Sequence, residues 1–224
     1  MARFENSKER YGLVAQVMHA AVAVLFIAAF ATVYFRQWFT EPESALGFAV
    51  LHLHLSTGLS ILVLGGLRVW WRLRSRTQPD ELPGAWWEHL SARLVHVLLY
   101  ALIILMPLAG YLGTGVPTDF FGLFIIPKFA DTAAFDLIVA NGLGLTFEEW
   151  EVPVDWLHKT LGELLVLSLV GLHVAAALFH HFIRRDGALN RMFVFPEVQD
   201  LADASSGRAQ VSPIEAAISP APKD

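Results

Sequence analysis

Nine histidines and no cysteine define the chemistry open to this 224-residue chain. Imidazole is a common metal ligand and the side chain that most readily carries protons near neutral pH. The lack of cysteine excludes disulfides, thiolate zinc sites, iron–sulfur clusters and thioether-linked haem. A bound metal would have to use His, Met, Tyr or carboxylate. His19, His52, His54, His96 and His173 interrupt apolar runs, and His158 opens another. An imidazole in such surroundings needs a partner, because unsatisfied polar groups are costly in an apolar medium. Taken singly, each has a plain explanation as a hydrogen bond between helices.

The surrounding segments give these residues their depth. Apolar residues make up 55% of the chain, and mean hydropathy is +0.49. About 20 mostly apolar residues span a bilayer as a helix. Four runs qualify, at about Leu13–Phe35, Ala45–Trp71, Ala92–Leu112 and Trp156–Ile183. The expected fold class is an all-α membrane protein, a four-transmembrane-helix bundle. A net charge of -5 argues against a nucleic-acid partner. Ala29-Phe30-Ala31 looks like a signal cleavage site. The preceding apolar run is long and the leader carries mixed charge, so an uncleaved helix is expected.

Arginine and lysine set the orientation. Arg3, Lys8 and Arg10, then Arg68, Arg72, Arg74, Arg76 and Arg93, then Arg184, Arg185 and Arg191 share one side. The other side carries only Arg36, Lys128 and Lys159 among many carboxylates. Both termini are therefore expected in the cytoplasm. The chain divides into a cytoplasmic leader (1–12), a four-helix domain (13–192) with a long outer loop (113–155), and a cytoplasmic tail (193–224). The Ala-, Ser- and Pro-rich tail is expected to be disordered. The loop contains "FFGLFIIP", too short to span. It reads as an interfacial cover packed on the bundle, or as a lid or docking surface.

Depth sorts the histidines into two levels. His19 and His173 fall in the cytoplasmic half, and His54 and His158 in the outer half. The two histidines of the fourth helix differ by ~60° in azimuth and ~22 Å along the axis, so both can face one interior. Two imidazoles on opposing helices suit the two axial positions of a haem iron, and a helix-bundle core suits the apolar plate. Gly58, Gly162 and Gly171 lie near these histidines and would let the plate approach the backbone. His52 and His54 are separated by ~200° of helix rotation, so only one can face the centre. The other meets a neighbouring helix, a subunit or the interface. A haem-free metal or proton transporter is a further reading of the same residues.

Several stretches resemble the bacterial cytochrome b561 family of di-haem membrane proteins. They are "RYGLVAQVMHA", "HLSTGLSILVLGGLRVWWRL", "HVLLYALIILMPLAGYLG" and "LHKTLGELLVLSLVGLHVAAALFHHFIRRDGALNRM". Together they cover about Arg10 to Met192. Similar helices occur in the cytochrome b subunits of nickel–iron hydrogenase and formate dehydrogenase. The resemblance implies two haem b groups enclosed by the bundle. It makes His19 and His173 axial ligands of the cytoplasmic-side haem, and His54 and His158 ligands of the outer one. His54, not His52, matches the family pattern His-x-Ser-x-Gly. Ala20 follows His19 where the family often has Trp. The His158–His173 spacing is one residue longer than the family's, which a local wide turn in the fourth helix would absorb.

The resemblance also implies transmembrane electron transfer at a bacterial inner (cytoplasmic) membrane. Electrons would pass between an outer, periplasmic donor and ubiquinone or another quinone. Some relatives are similar to superoxide oxidase; in that version Lys159 and Lys128 attract the anion. The alternative is a haem-bearing anchor for a dehydrogenase or hydrogenase subunit. His96, His180 and Lys159 are candidate contacts to quinone or haem propionate. Plain alternatives are an interhelix hydrogen bond for His96, an interfacial pair with His181 for His180, and a solvated amine for Lys159. Glu163 is expected to have a satisfied carboxylate rather than to relay protons. Trp70, Trp71, Trp86 and Trp87 suit an aromatic belt.

Overall fold

A computed structural model describes residues 4–193. The residues beyond 193, expected to be a disordered tail, lie outside the described region. Four long helices dominate. They are α1 (Leu13–Phe39), α2 (Ala45–Arg74), α3 (Trp86–Leu112) and α4 (Phe147–Arg184). All four are long and apolar enough to cross a membrane. A short α5 (Ala188–Met192) follows.

The helices outrun the apolar segments that mark them in the sequence. The largest difference is in α4, which begins at Phe147 rather than near Trp156. Thr146 accepts the Glu149 N–H (3.3 Å), and the Glu149 carboxylate accepts the Thr146 N–H (2.8 Å). This reciprocal cap starts the helix in polar sequence, where hydropathy gives no signal. Ser44 caps α2 in a similar way, accepting the Gly47 N–H at 3.0 Å. At its other end α4 stops where Arg185 (φ 52°) and Gly187 (φ 78°) turn left-handed. Asp186 Oδ1 then accepts the Ala188 N–H at 3.1 Å and opens α5.

One π-helical stretch interrupts α4, at Leu161–Val166, and another ends it, at His180–Arg184. The first lies between His158 and His173 and is the wide turn that the extra residue calls for. A π turn adds one residue per turn without ending the helix.

Large apolar side chains cover the flanks. Val24 is 64% exposed, Ile27 71% and Val63 63%. Such a surface fits lipid, not water. Inside, Val22, Ile61 and Ile103 form one buried cluster, and Leu102, Met106 and Val166 another. Gly65 brings α2 close to α3, since a Cβ there would lie 2.8 Å from Ile103 Cγ1.

The outer loop is more structured than an all-α fold implies. It carries an antiparallel hairpin, β1 (Thr118–Phe120) with β2 (Phe124–Ile126), in which Asp119 pairs with Ile125. Beyond it, Phe129, Phe135 and Val139 make a small core that packs on Tyr111, Leu112 and Trp150. Trp150 Nε1 donates to the Leu112 carbonyl (3.0 Å), fixing this cap to the ends of α3 and α4. At the opposite face, the Tyr11 N–H donates to the Arg191 carbonyl (3.0 Å), and the Asp80 N–H donates to Lys8 (2.8 Å). Leader, α2–α3 connection and α5 are thereby joined.

Candidate functional site

Helix α1 supplies His19, α2 supplies His54, and α4 supplies both His158 and His173. The structure brings them together as the two expected cross-helix pairs. The rings of His19 and His173 have centroids 6.2 Å apart, at 60° between planes. Those of His54 and His158 are 6.3 Å apart, at 78°. Two imidazoles on either side of one metal ion should have centroids about 6 Å apart, given metal–nitrogen bonds of ~2.0–2.1 Å.

The outer pair is held in a defined tautomer. His54 Nδ1 lies 3.0 Å from the Ala29 carbonyl, and His158 Nδ1 lies 3.0 Å from the Met106 carbonyl. A carbonyl only accepts, so each Nδ1 carries the proton and each Nε2 keeps its lone pair. That is the arrangement metal-ligating histidines use. Thr32 Oγ1 donates within α1 to Ala28 (2.8 Å) and sits 3.4 Å from His54 Nδ1, beside this bond. Gly110 permits the approach of His158 to α3, because a Cβ there would fall 2.9 Å from His158 Cε1. The sequence reading missed Gly110, for which only tertiary contact gives a signal.

The donor set matches haem better than a protein-only metal site. Among the described residues no three His, Cys, Asp or Glu side chains converge on one point. A porphyrin supplies the remaining four ligands itself, so two imidazoles suffice. A Cβ on Gly58 would meet no atom within 4 Å, so α2 is open one turn from His54. Gly162 faces Met106 Cε at 3.5 Å, and Gly171 is exposed.

The remaining candidates have diverse placements. His96 lies against the His19–His173 pair, its ring 5.4 Å from that of His173. His180 is engaged by Asp186 (Nδ1 to Oδ2, 2.5 Å) and Arg184 by Glu88 (3.0 Å), so both help close the end of α4. Burial pushes the Asp186 carboxyl up, but hydrogen bonds from His180 and the Ala188 N–H outweigh it, and the net shift is down. Lys159 pairs with Asp155 of its own helix (2.7 Å), and Lys128 with Asp131 (3.8 Å). Each lysine thus has a carboxylate within ion-pair distance. Glu163, expected to be satisfied, is instead exposed on the flank of α4 and makes no hydrogen bond or ion pair among the described residues. Arg68, read from the sequence only as an orientation charge, reaches inward. It donates to the Ala15 carbonyl (2.9 Å) and stands 5.8 Å over the Tyr100 ring.

His52 meets the outer loop. Its Nδ1 accepts the Asp119 N–H of the hairpin at 3.3 Å. His54 turns inward and His52 turns to the outer loop, as the helix rotation between them requires.

Comparison with known proteins gives the family. The family model described as Prokaryotic cytochrome b561 matches residues 10–194. The chain is 30% identical over 201 residues to cytochrome b561 homolog 2 of Escherichia coli strain K12, covering 84% of this chain and 94% of that protein. It is 25% identical to cytochrome b561 homolog 1 of the same strain, covering 76% and 90% respectively. It is 26% identical to a probable superoxide oxidase, CybB, of Yersinia pestis, covering 82% and 96%. With its four spanning helices and inward-facing histidines, the chain belongs to the prokaryotic cytochrome b561 family.

Proposed function

We propose that this chain carries electrons across a bacterial inner membrane between a periplasmic donor and membrane quinone, with two b haems. His19 and His173 would hold the cytoplasmic-side haem, and His54 and His158 the outer one. The carrying observation is the pair of ring separations near 6.2 Å at two levels of one bundle. Bound b haem supplies reversible one-electron chemistry, and ligation by two histidines keeps small molecules off the iron. The chain's own groups do the rest. Ala29 and Met106 carbonyls orient the outer imidazoles. The buried clusters around Val22 and Met106 keep the interior apolar and exclude water. Both termini would lie in the cytoplasm, as the arginine distribution expects.

Superoxide is the favoured donor, because the relative named as a probable superoxide oxidase aligns over nearly its whole length. The charge that would draw an anion is assigned to Arg36, not to the paired lysines. Arg36 donates to the Gly47 carbonyl (3.1 Å) and the Pro42 carbonyl (3.3 Å), which leave its charge unneutralised. The test is reduction of the purified chain by superoxide, followed by transfer to ubiquinone. Arg36→Gln should slow that reduction and weaken its salt dependence, since steering by a single charge is screened by ions. A chain reduced by quinol but not by superoxide would favour the anchor-subunit reading.

A further inference from the structure

The outer hairpin exposes an apolar tip. Phe121, Leu123, Phe124 and Ile125 are 47%, 75%, 53% and 63% exposed. They cluster around a turn in which Phe121 (φ 52°) and Gly122 (φ 74°) are left-handed. The hairpin rests on α2 at His52 and Ser56. Counting from the belt residue Trp70 along α2, Ser56 lies ~21 Å and His52 ~27 Å away. Both fall within a hydrocarbon layer of about 30 Å. The flank of α2 beside them is the surface already assigned to lipid.

Irregular backbone at this depth needs its polar groups satisfied. Two side chains of α2 do this along the edge that faces them. The Ser56 hydroxyl, wholly buried, lies 2.9 Å from the Asp119 carbonyl and accepts the Phe121 N–H at 3.2 Å. His52 Nδ1 accepts the Asp119 N–H. Asp119 Oδ1 in turn accepts the Gly122 N–H at 3.0 Å, which ties the hairpin's one carboxylate to its own turn. The edge facing α2 is thereby closed, and the side chains exposed beyond it are Phe121, Leu123, Phe124 and Ile125. We infer that the hairpin Thr118–Ile126 is a membrane-inserted wedge, whose tip contacts acyl chains of the outer leaflet and whose latch is His52 and Ser56.

The lack of cysteine makes a clean test possible. Leu123→Cys in the full chain, carrying an environment-sensitive fluorophore, is reconstituted into phosphatidylcholine vesicles with brominated acyl chains. Val63→Cys, on the lipid-facing flank of α2, is the reference. The wedge predicts that Leu123→Cys loses most of its emission to lipids brominated near the headgroup end. Its protection from aqueous iodide should match that of Val63→Cys. Adding Ser56→Ala should restore iodide quenching while helical circular dichroism is unchanged. Iodide quenching of the parent Leu123→Cys without lipid quenching would overturn the inference. So would protection from both quenchers, which would mean that a second copy or another protein covers the tip. Neither readout depends on haem.

Discussion

At the scale of single residues, the four inward histidines were legible because polar groups in spanning helices are rare and depth follows from counting. Their tautomers were not, because the Ala29 and Met106 carbonyls that set them lie on other helices. The same holds for His52, whose partner Asp119 is 67 positions away. These positions make opposed predictions. His54→Ala should lose about half of the bound haem, one axial ligand of the outer site being gone. His52→Ala should retain it. Pyridine haemochrome assays measure both, and the reverse outcome would exchange the two roles. Gly110→Val should push His158 off α3, costing about 1–3 kcal/mol as overpacking does. The expected result is a lower unfolding temperature with selective loss of outer haem.

At the scale of elements, hydropathy located all four spans but not their ends. The start of α4 was hidden because Thr146 and Glu149 make a cap where Glu148, Glu149, Glu151 and Asp155 interrupt the apolar residues. The π turn at Leu161–Val166 was legible only as a spacing, one residue too many between His158 and His173. Deleting Leu164, which is exposed, should let this turn relax to α-helix with both histidines still inward. Inserting one residue there should instead rotate His173 by ~100° and lose the cytoplasmic-side haem. Optical spectra of the two variants decide between these outcomes. The end of α4 adds a pH dependence. Asp186 sits below its ordinary value when folded, so its stabilisation is present above the unfolded value and lost as pH falls through the folded one. The stability advantage of the native chain over Asp186→Asn should therefore shrink below about pH 4, the ordinary carboxylate range. Thermal unfolding across pH measures it, and a constant difference would remove Asp186 from that role.

At the scale of the whole molecule, the number of helices and the two levels of histidine could be read from length, hydropathy and counting. The hairpin and the small core around Val139 could not, because short strands in a loop carry weak patterns and their order depends on α2, α3 and α4 together. The charge layout was readable in sum, but pairing altered its meaning. Lys128 and Lys159 each face a carboxylate, whereas Arg36 faces neutral carbonyls. The central claim is that one chain holds two b haems by two histidine pairs. It is tested most directly by haem-to-protein stoichiometry with low-temperature electron paramagnetic resonance on the purified chain. The account predicts two low-spin ferric signals, of which His54→Ala removes one and His173→Ala the other. A single signal, or two that both survive His54→Ala, would contradict it.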